Sequence, residues 1–462
     1  MTLGRALFVA ALLSGCRSHS DPSADEKPAP APIPPAPAHS ASAKVAKPEA
    51  PKPPVFPTAA DAPGPAVIAV EDGGVFVFDH GKLTNPEGKS RVSYIGQTHA
   101  GTVVIKSGFP DYVLAADGTV QKERFPFGPL AAAPDGTLWF LGASNELVHT
   151  QEGSADAPIK EKIPADEGEF VNKIAVAKNG DVYFASLGAF YRKRGAEWKS
   201  VKASDLVKTE TQIQGLLPVG DDVYAVIGTA GYDIDGKKLA LPPTTAMFAV
   251  YVQETPSVSP TGLVAFTTGL EYVVVTPEGK SSIKSVAALG VKGLSEASTI
   301  ALDGQGRRWL GTDAGLVVLS KDDRVLQVWP PGTLNGEAKK IFVVGAGPEL
   351  GADPPPVTTG NVTGRVLIDG QPLKSSDIMI CDSPASVMTG PTPCSGKAAV
   401  SAGKTDDSGV FHFTDVPAWS YGFAMKTDSG WRVMLGSSLG QCCKNVDPSK
   451  EVNVGDVSVK TN

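Results

Sequence analysis

The chain is poor in the residues that build reaction centres. Its 462 residues include six histidines and five cysteines. His19, His39, His80, His99, His149 and His412 are scattered, with no His-x-His or His-x-x-x-His pair. A metal site therefore has no local signature. No phosphate-cradling Gly-x-x-x-x-Gly-Lys-Ser/Thr loop occurs. The apolar run from Ala6 to Leu13 falls short of the about 20 residues that span a bilayer. No other segment of the sequence is long and apolar enough for a membrane helix. Excess positive charge is lacking too: the net charge is −7, which speaks against a general nucleic-acid surface. The one basic cluster, Arg192-Lys193-Arg194, reads as the solvated end of a hairpin. What is plentiful is glycine (50) and proline (39), which favours many turns over long helices.

The N-terminus is informative. Arg5, the apolar run and Leu13-Ser14-Gly15-Cys16 follow the order of a secretory signal. The Leu-Ser-Gly-Cys ending resembles the lipobox of bacterial lipoproteins. That resemblance implies that residues 1–15 are removed and that Cys16 becomes a lipidated first residue, with lipid as the membrane anchor. Arg17, rather than Asp, follows the cysteine. By analogy with the enteric sorting rule this implies the outer membrane, on a face the sequence leaves open. The alternative is an ordinary secretory signal with an incidental cysteine.

The other cysteines, Cys381, Cys394, Cys442 and Cys443, all lie in the last quarter. In an oxidising compartment four cysteines read as two disulfides with three possible connectivities. Adjacent strand residues point to opposite faces, so Cys442 and Cys443 are each expected to pair with one of Cys381 and Cys394. Four reduced thiols, or a Cys381–Cys394 bond beside a free adjacent pair, are the alternatives. The spacing does not suit zinc.

Residues 16–64 form a Pro- and Ala-rich segment, as in Pro28-Ala29-Pro30-Ala31-Pro32. It buries too little apolar surface to offset ordering entropy and reads as a disordered spacer. Residues 65–350 repeat one grammar of apolar strand, Gly-containing turn, strand, loop, strand, turn and polar strand. Equivalent second-strand positions are Val103, Leu138, Val182, Val223, Val264 and Arg308, at spacings of 35, 44, 41, 41 and 44 residues. A period near 40 with four short strands is the signature of β-propeller blades. The region begins out of phase: 66–70 fits a second strand, 75–79 a third and 82–84 a fourth. The missing first strand reads at 340–345. A seventh, composite blade would close the ring and remove the open edges. Six blades with ragged ends is the alternative.

Asp303-Gly304-Gln305-Gly306-Arg307-Arg308-Trp309-Leu310-Gly311-Thr312 and the strand after it resemble the two-component-regulator propeller repeat. Gly136-Thr137-Leu138-Trp139-Phe140-Leu141-Gly142 resembles it in part. The resemblance implies a propeller and transfers no ligand. After a linker at 351–359, residues 360–462 read as a small β-sandwich. Asp369-Gly370-Gln371-Pro372-Leu373, Asp406 to Phe413 and Pro417 to Tyr421 resemble the carboxypeptidase regulatory-like domain, a transthyretin-like fold. In that family the module is accessory and carries no catalytic residues.

The chain is thus expected to be all-β and without catalytic residues, metal or cofactor, a binding or scaffolding platform. Loops joining second to third strands, and fourth strands to the next repeat, share one face. That face collects Phe109, Asp111, Asn145, Glu169, Phe170, Tyr251, Glu271 and Asp313. Carboxylates with aromatics suit a carbohydrate, a cation or a basic protein segment; solvated structural loops are the plain alternative. A rival function is a propeller hydrolase or lactonase with a metal at the central channel, and a third is an envelope sensor or assembly factor. Asp233-Ile234-Asp235-Gly236 resembles half a calcium loop, but Lys237 and Lys238 come next, so it reads as a turn.

Overall fold

The computed structural model describes residues 56 and 58–459, apart from 71–73, 88–91, 108–109, 116–118, 152–156, 209–211, 244–255, 382–393, 395–399, 434–443, 447–450 and the single positions 124, 127, 167 and 429. Cys16, Phe109, Tyr251, Cys442 and Cys443 lie outside the described residues.

The first region is a β-propeller assembled from four-stranded antiparallel sheets, and the described residues hold seven of them. Their second strands are Ala66–Val70, Val103–Lys106, Thr137–Leu141, Val182–Ala185, Asp222–Ile227, Val264–Thr267 and Arg308–Thr312. The first sheet is drawn from both ends of the region. Ala66–Val70 pairs antiparallel with Ala338–Val343, in the register Ala66 opposite Val343 and Ala69 opposite Lys340. Gly74–Asp79 and Lys82–Glu87 complete it.

Strand sequences such as Val223-Tyr224-Ala225-Val226 are continuous apolar runs because both faces are covered. Val223 and Ala225 pack toward the fourth sheet, and Tyr224 and Val226 toward the sixth. Seven apolar clusters obey this rule, one between each sheet and the next. The cluster that closes the circuit puts Trp309 and Trp329 of the last sheet against Ile68, Phe76 and Phe78 of the first. Gly311 sits at that junction because an added Cβ would lie 2.3 Å from the Ala338 carbonyl oxygen. The Trp-x-Gly-Thr stretch is thereby explained by packing.

Turns inside the sheets use one device. Asp303 Oδ1 accepts the N–H groups of Gln305 and Arg307 at 3.0 and 2.9 Å. Asp233 does the same for Asp235 and Lys237 at 2.9 and 2.8 Å, and Asp406 for Ser408 and Val410 at 2.8 Å each. The stretch at Asp233 is therefore a hairpin turn, held by local side-chain-to-backbone bonds.

The expected spacer ends earlier than residue 64. Phe56 packs into the cluster between the first two sheets, and its N–H donates to Gly101 O at 3.0 Å. Gly345 and Gly304 accept the backbone of residues 59–62 against them. Residues 351–359 are likewise held: Gln327 Nε2 donates to Gly351 O at 3.0 Å, and Thr358 N to Gly332 O at 2.8 Å.

Two sheets form the C-terminal region. One orders Gln371–Pro372, Thr359–Ile368 and Val410–Pro417, with Glu451–Val459 parallel to Thr359–Ile368. The other orders Ser401–Lys404, Asp377–Cys381, Ser420–Thr427 and Gly430–Val433, with Lys444–Asn445 paired to Ser420 and Tyr421. Their strands bury alternate residues, as a one-faced sheet requires. Val362, Val366, Phe411 and Phe413 meet Ile378, Ile380, Tyr421, Phe423 and Met425 in a shared core. The Tyr421 hydroxyl donates to Pro417 O at 2.9 Å.

The disulfide expectation is corrected. Cys381 is bonded to Cys394, both buried, so neither remains for Cys442 or Cys443. Their Cα atoms are 5.1 Å apart, inside the range a disulfide spans. Both cysteines pack against Ala424, with Trp431 beside them.

Candidate functional site

The first strand of each sheet is innermost. These strands are Tyr94–Gln97, Leu130–Ala132, Lys173–Val176, Gly215–Val219, Ser257–Val258, Ala297–Leu302 and Ala338–Val343. All seven contribute to the wall of one cavity of about 550 Å³. Volumes of this order accommodate small organic ligands. Ile95, Ile174, Leu216, Val258, Ile300 and Ile341 make much of the wall apolar. Lys173, Lys178 and Lys340 supply its charge; among the described lining residues there is no carboxylate and no histidine. Tyr94 also lines it, and burial pushes its hydroxyl up to about 12, so it remains a donor at neutral pH. Ser257 Oγ accepts Leu302 N at 2.9 Å, joining two inner strands across the wall.

The expected ligand-binding face is mostly committed to its own structure. Asp111 is buried and paired with the equally buried Lys106 at 3.2 Å, and its other oxygen accepts Ser107 N at 3.0 Å. Lys106 Nζ also donates to Pro126 O at 2.6 Å and lies 5.4 Å from the Phe140 ring centre. Burial lowers the Lys106 pKa, against the opposing pull of Asp111. Asn145 stitches two loops: its amide donates to Glu169 O at 2.7 Å and its oxygen accepts Val171 N at 2.9 Å. Glu169 accepts the Tyr191 hydroxyl, whose pKa rises through burial and this carboxylate. Asp313 accepts the N–H groups of Ser295 and Glu296 at 3.0 and 3.1 Å, and the Ser295 hydroxyl. Glu271 is buried at the start of its strand. Phe170 is presented outward, with 63% of its surface exposed. Leu187 and Leu270, in second-to-third-strand turns of the same face, are also exposed.

The structure therefore brings together the loops but not a convergent set of the named carboxylates. Among the described residues no group of three or more His, Cys, Asp or Glu could hold a metal. The residues missed by sequence reasoning are the channel lysines. Their signal was available: Lys173-Ile174-Ala175-Val176 and Lys340-Ile341-Phe342-Val343 repeat one pattern at the same strand position. Gly436-Ser437-Ser438-Leu439-Gly440 spells the Gly-x-Ser-x-Gly pattern in residues outside those described. A nucleophile turn of that type joins a strand to a helix in an α/β sheet. The preceding strand Gly430–Val433 belongs instead to an antiparallel β-sheet.

Searches found no matching family model and no matching curated protein. Among solved structures, the chain is similar to a streptogramin B lyase at 12% identity, covering 55% of this chain and 92% of that one, with a TM-score of 0.39. It is similar to YCF48 from Cyanidioschyzon merolae at 10% identity, covering 51% and 83%, with a TM-score of 0.38. It is similar to the extracellular domain of a proposed hybrid two-component system from B. thetaiotaomicron at 10% identity, covering 85% and 54%, with a TM-score of 0.42. At these values the fold stands on the sheets and their register.

Proposed function

We propose that the chain is a lipid-anchored, non-enzymatic protein of the cell envelope whose propeller is a binding or scaffolding platform. The observation that carries the reading is the convergence of seven inner strands on one cavity whose described wall offers lysines, hydroxyls and apolar side chains but no carboxylate. Such a wall can hold a ligand; its described residues supply no carboxylate pair and no metal-ligand set. In this reading the seven sheets are seven blades, and the sandwich is an accessory module of carboxypeptidase regulatory-like type. Cys16 carries the lipid, the segment after it is the spacer, and the outer membrane is the location. The partner is a protein segment or a carbohydrate engaged at the loop face or channel mouth, where Phe170 is exposed.

The test pairs two measurements on the full chain. Incubation with esters and lactones, with and without added divalent metal, is expected to give no turnover above the blank. Affinity capture from envelope extracts is expected to return a defined complex. Metal-dependent turnover of a lactone or ester would overturn the non-enzymatic reading.

A further inference from the structure

The channel wall carries a hydroxyl that the chain itself leaves unsatisfied. Tyr94 lies opposite Lys106, at the end of its inner strand nearest the loop face. Its ring packs against Val104, Leu130 and Phe140, in the cluster between the second and third sheets. The hydroxyl reaches back along the strand over Gly96, two residues further in, where an added Cβ would overlap it. Tyr94 and Gly96 both line the cavity. Among the described residues the hydroxyl has no hydrogen-bond partner, and burial alone raises its pKa. Its oxygen is nevertheless not walled off in the packing. The other polar groups of the wall are occupied. Gln97 Nε2 donates to Gly101 O at 3.1 Å, Ser257 Oγ accepts Leu302 N, and Ser259 Oγ accepts Leu263 N at 3.0 Å. Lys173 Nζ donates to Asn172 Oδ1 at 3.0 Å, and Lys340 is engaged as well. Lys178 stands exposed in the turn after its strand.

We infer that the channel takes a neutral, largely apolar carbonyl compound, whose oxygen accepts the Tyr94 hydroxyl and whose body lies against Ile174, Leu216, Val258 and Ile341. The inference rests on the channel being the ligand site. Small-molecule sites are mostly apolar, with a few polar groups that fix orientation. An unpaired hydroxyl in apolar surroundings is costly, so an acceptor placed on it is favoured. Burial of the ligand body against the wall adds the hydrophobic part. A cation finds no carboxylate in the described wall. A carboxylate would exchange its water for one phenol hydroxyl, because Lys173 and Lys340 already have partners. Inside the channel a sugar would set several hydroxyls against isoleucine, leucine and valine.

Fluorescence titration of the full chain carrying Cys16→Ser, so that no acyl group competes, tests this with two neutral probes. They are prodan, a naphthalene ketone, and 2-dimethylaminonaphthalene, the same body without the carbonyl. Prodan is expected to bind at one site, and Tyr94→Phe should weaken it about two- to tenfold, the worth of one hydrogen bond. The probe without a carbonyl should bind the parent and Tyr94→Phe alike. The infrared carbonyl band of bound prodan should lie at lower wavenumber in the parent than in Tyr94→Phe. Gly96→Ala, which displaces the hydroxyl, should weaken prodan as Tyr94→Phe does. Without ligand, Tyr94→Phe should melt no lower than the parent, because no bond is lost; a lower midpoint would show that the hydroxyl serves the fold and overturn the assignment. Equal prodan affinity and an unmoved carbonyl band in Tyr94→Phe would overturn the carbonyl assignment while leaving the channel a ligand site. Displacement of prodan by decanoate at lower concentration than by 2-decanone would overturn the neutral class. No binding of either probe by the parent would overturn the assignment and the channel reading together.

Discussion

Arg307 holds Asp303 through its Nε at 2.6 Å and, through Nη2, reaches the carbonyl oxygens of Ala346 and Pro348 at 2.7 and 3.0 Å. Asp303 is fully buried in a turn of the last sheet, and the Trp309 indole donates to it at 3.1 Å. Ala346 and Pro348 come just after the strand that returns to the first sheet. The pair thus ties the last sheet to the segment that closes the circuit. Removing one member of a buried pair leaves an uncompensated charge. Arg307→Leu is expected to cost about 3–5 kcal/mol in urea unfolding. A loss under about 1 kcal/mol, the worth of a surface pair, would contradict the closure role.

Alkaline pH should loosen the propeller. Burial raises the hydroxyls of Tyr94 and Tyr183 to about 12. Tyr191 and Tyr272 are also raised, by burial and then by the carboxylates of Glu169 and Asp323. A group with a folded pKa above its unfolded value adds stability below the unfolded value and loses it as pH rises through the folded one. For Tyr94 and Tyr183 the window runs from the ordinary 10.0 to about 12. Absorbance titration of the nine tyrosines should therefore show a late group that ionises with unfolding. Ionisation of all nine near 10 with circular dichroism unchanged would refute it.

Peptide mapping without reduction should join Cys381 to Cys394. Their separation of 13 residues closes a short loop, worth about 3 kcal/mol by restriction of the unfolded chain. Replacing both with Ser should lower the stability of the sandwich by about that amount. Fragments linking either residue to Cys442 or Cys443 would reject the pairing.

Cys16→Ser should release the protein from the membrane fraction. Fractionation as strong as in the parent would reject the lipobox reading.

Much of the fold was legible, for identifiable reasons. Val103, Leu138, Val182, Val223, Val264 and Arg308 all fall in second strands, because strands buried on both faces leave unbroken apolar runs between glycine turns. The shared first sheet was legible because Ala66–Val70 is out of phase with the repeats C-terminal to it. The site was less so. Asp111 and Asp313 look like ligands in a sequence, but hydrogen bonding to Lys106 and to Ser295 consumes them locally. Lys173 and Lys340 look like ordinary polar strand residues until the sheets are arranged around a cavity. The cysteine argument failed because strand geometry limits the adjacent pair, yet says nothing against a bond between Cys381 and Cys394 across their own loop.

The central claim, a ring closed by a sheet drawn from both ends of the region, is tested most directly by hydrogen exchange of the full chain. The account predicts that Ala66–Val70 and Ala338–Val343 are protected together, like the other inner strands Tyr94–Gln97 and Lys173–Val176, and exchange more slowly than fourth strands such as Glu197–Lys202. Protection confined to the sandwich at residues 360–459, or absent from all inner strands, would contradict it.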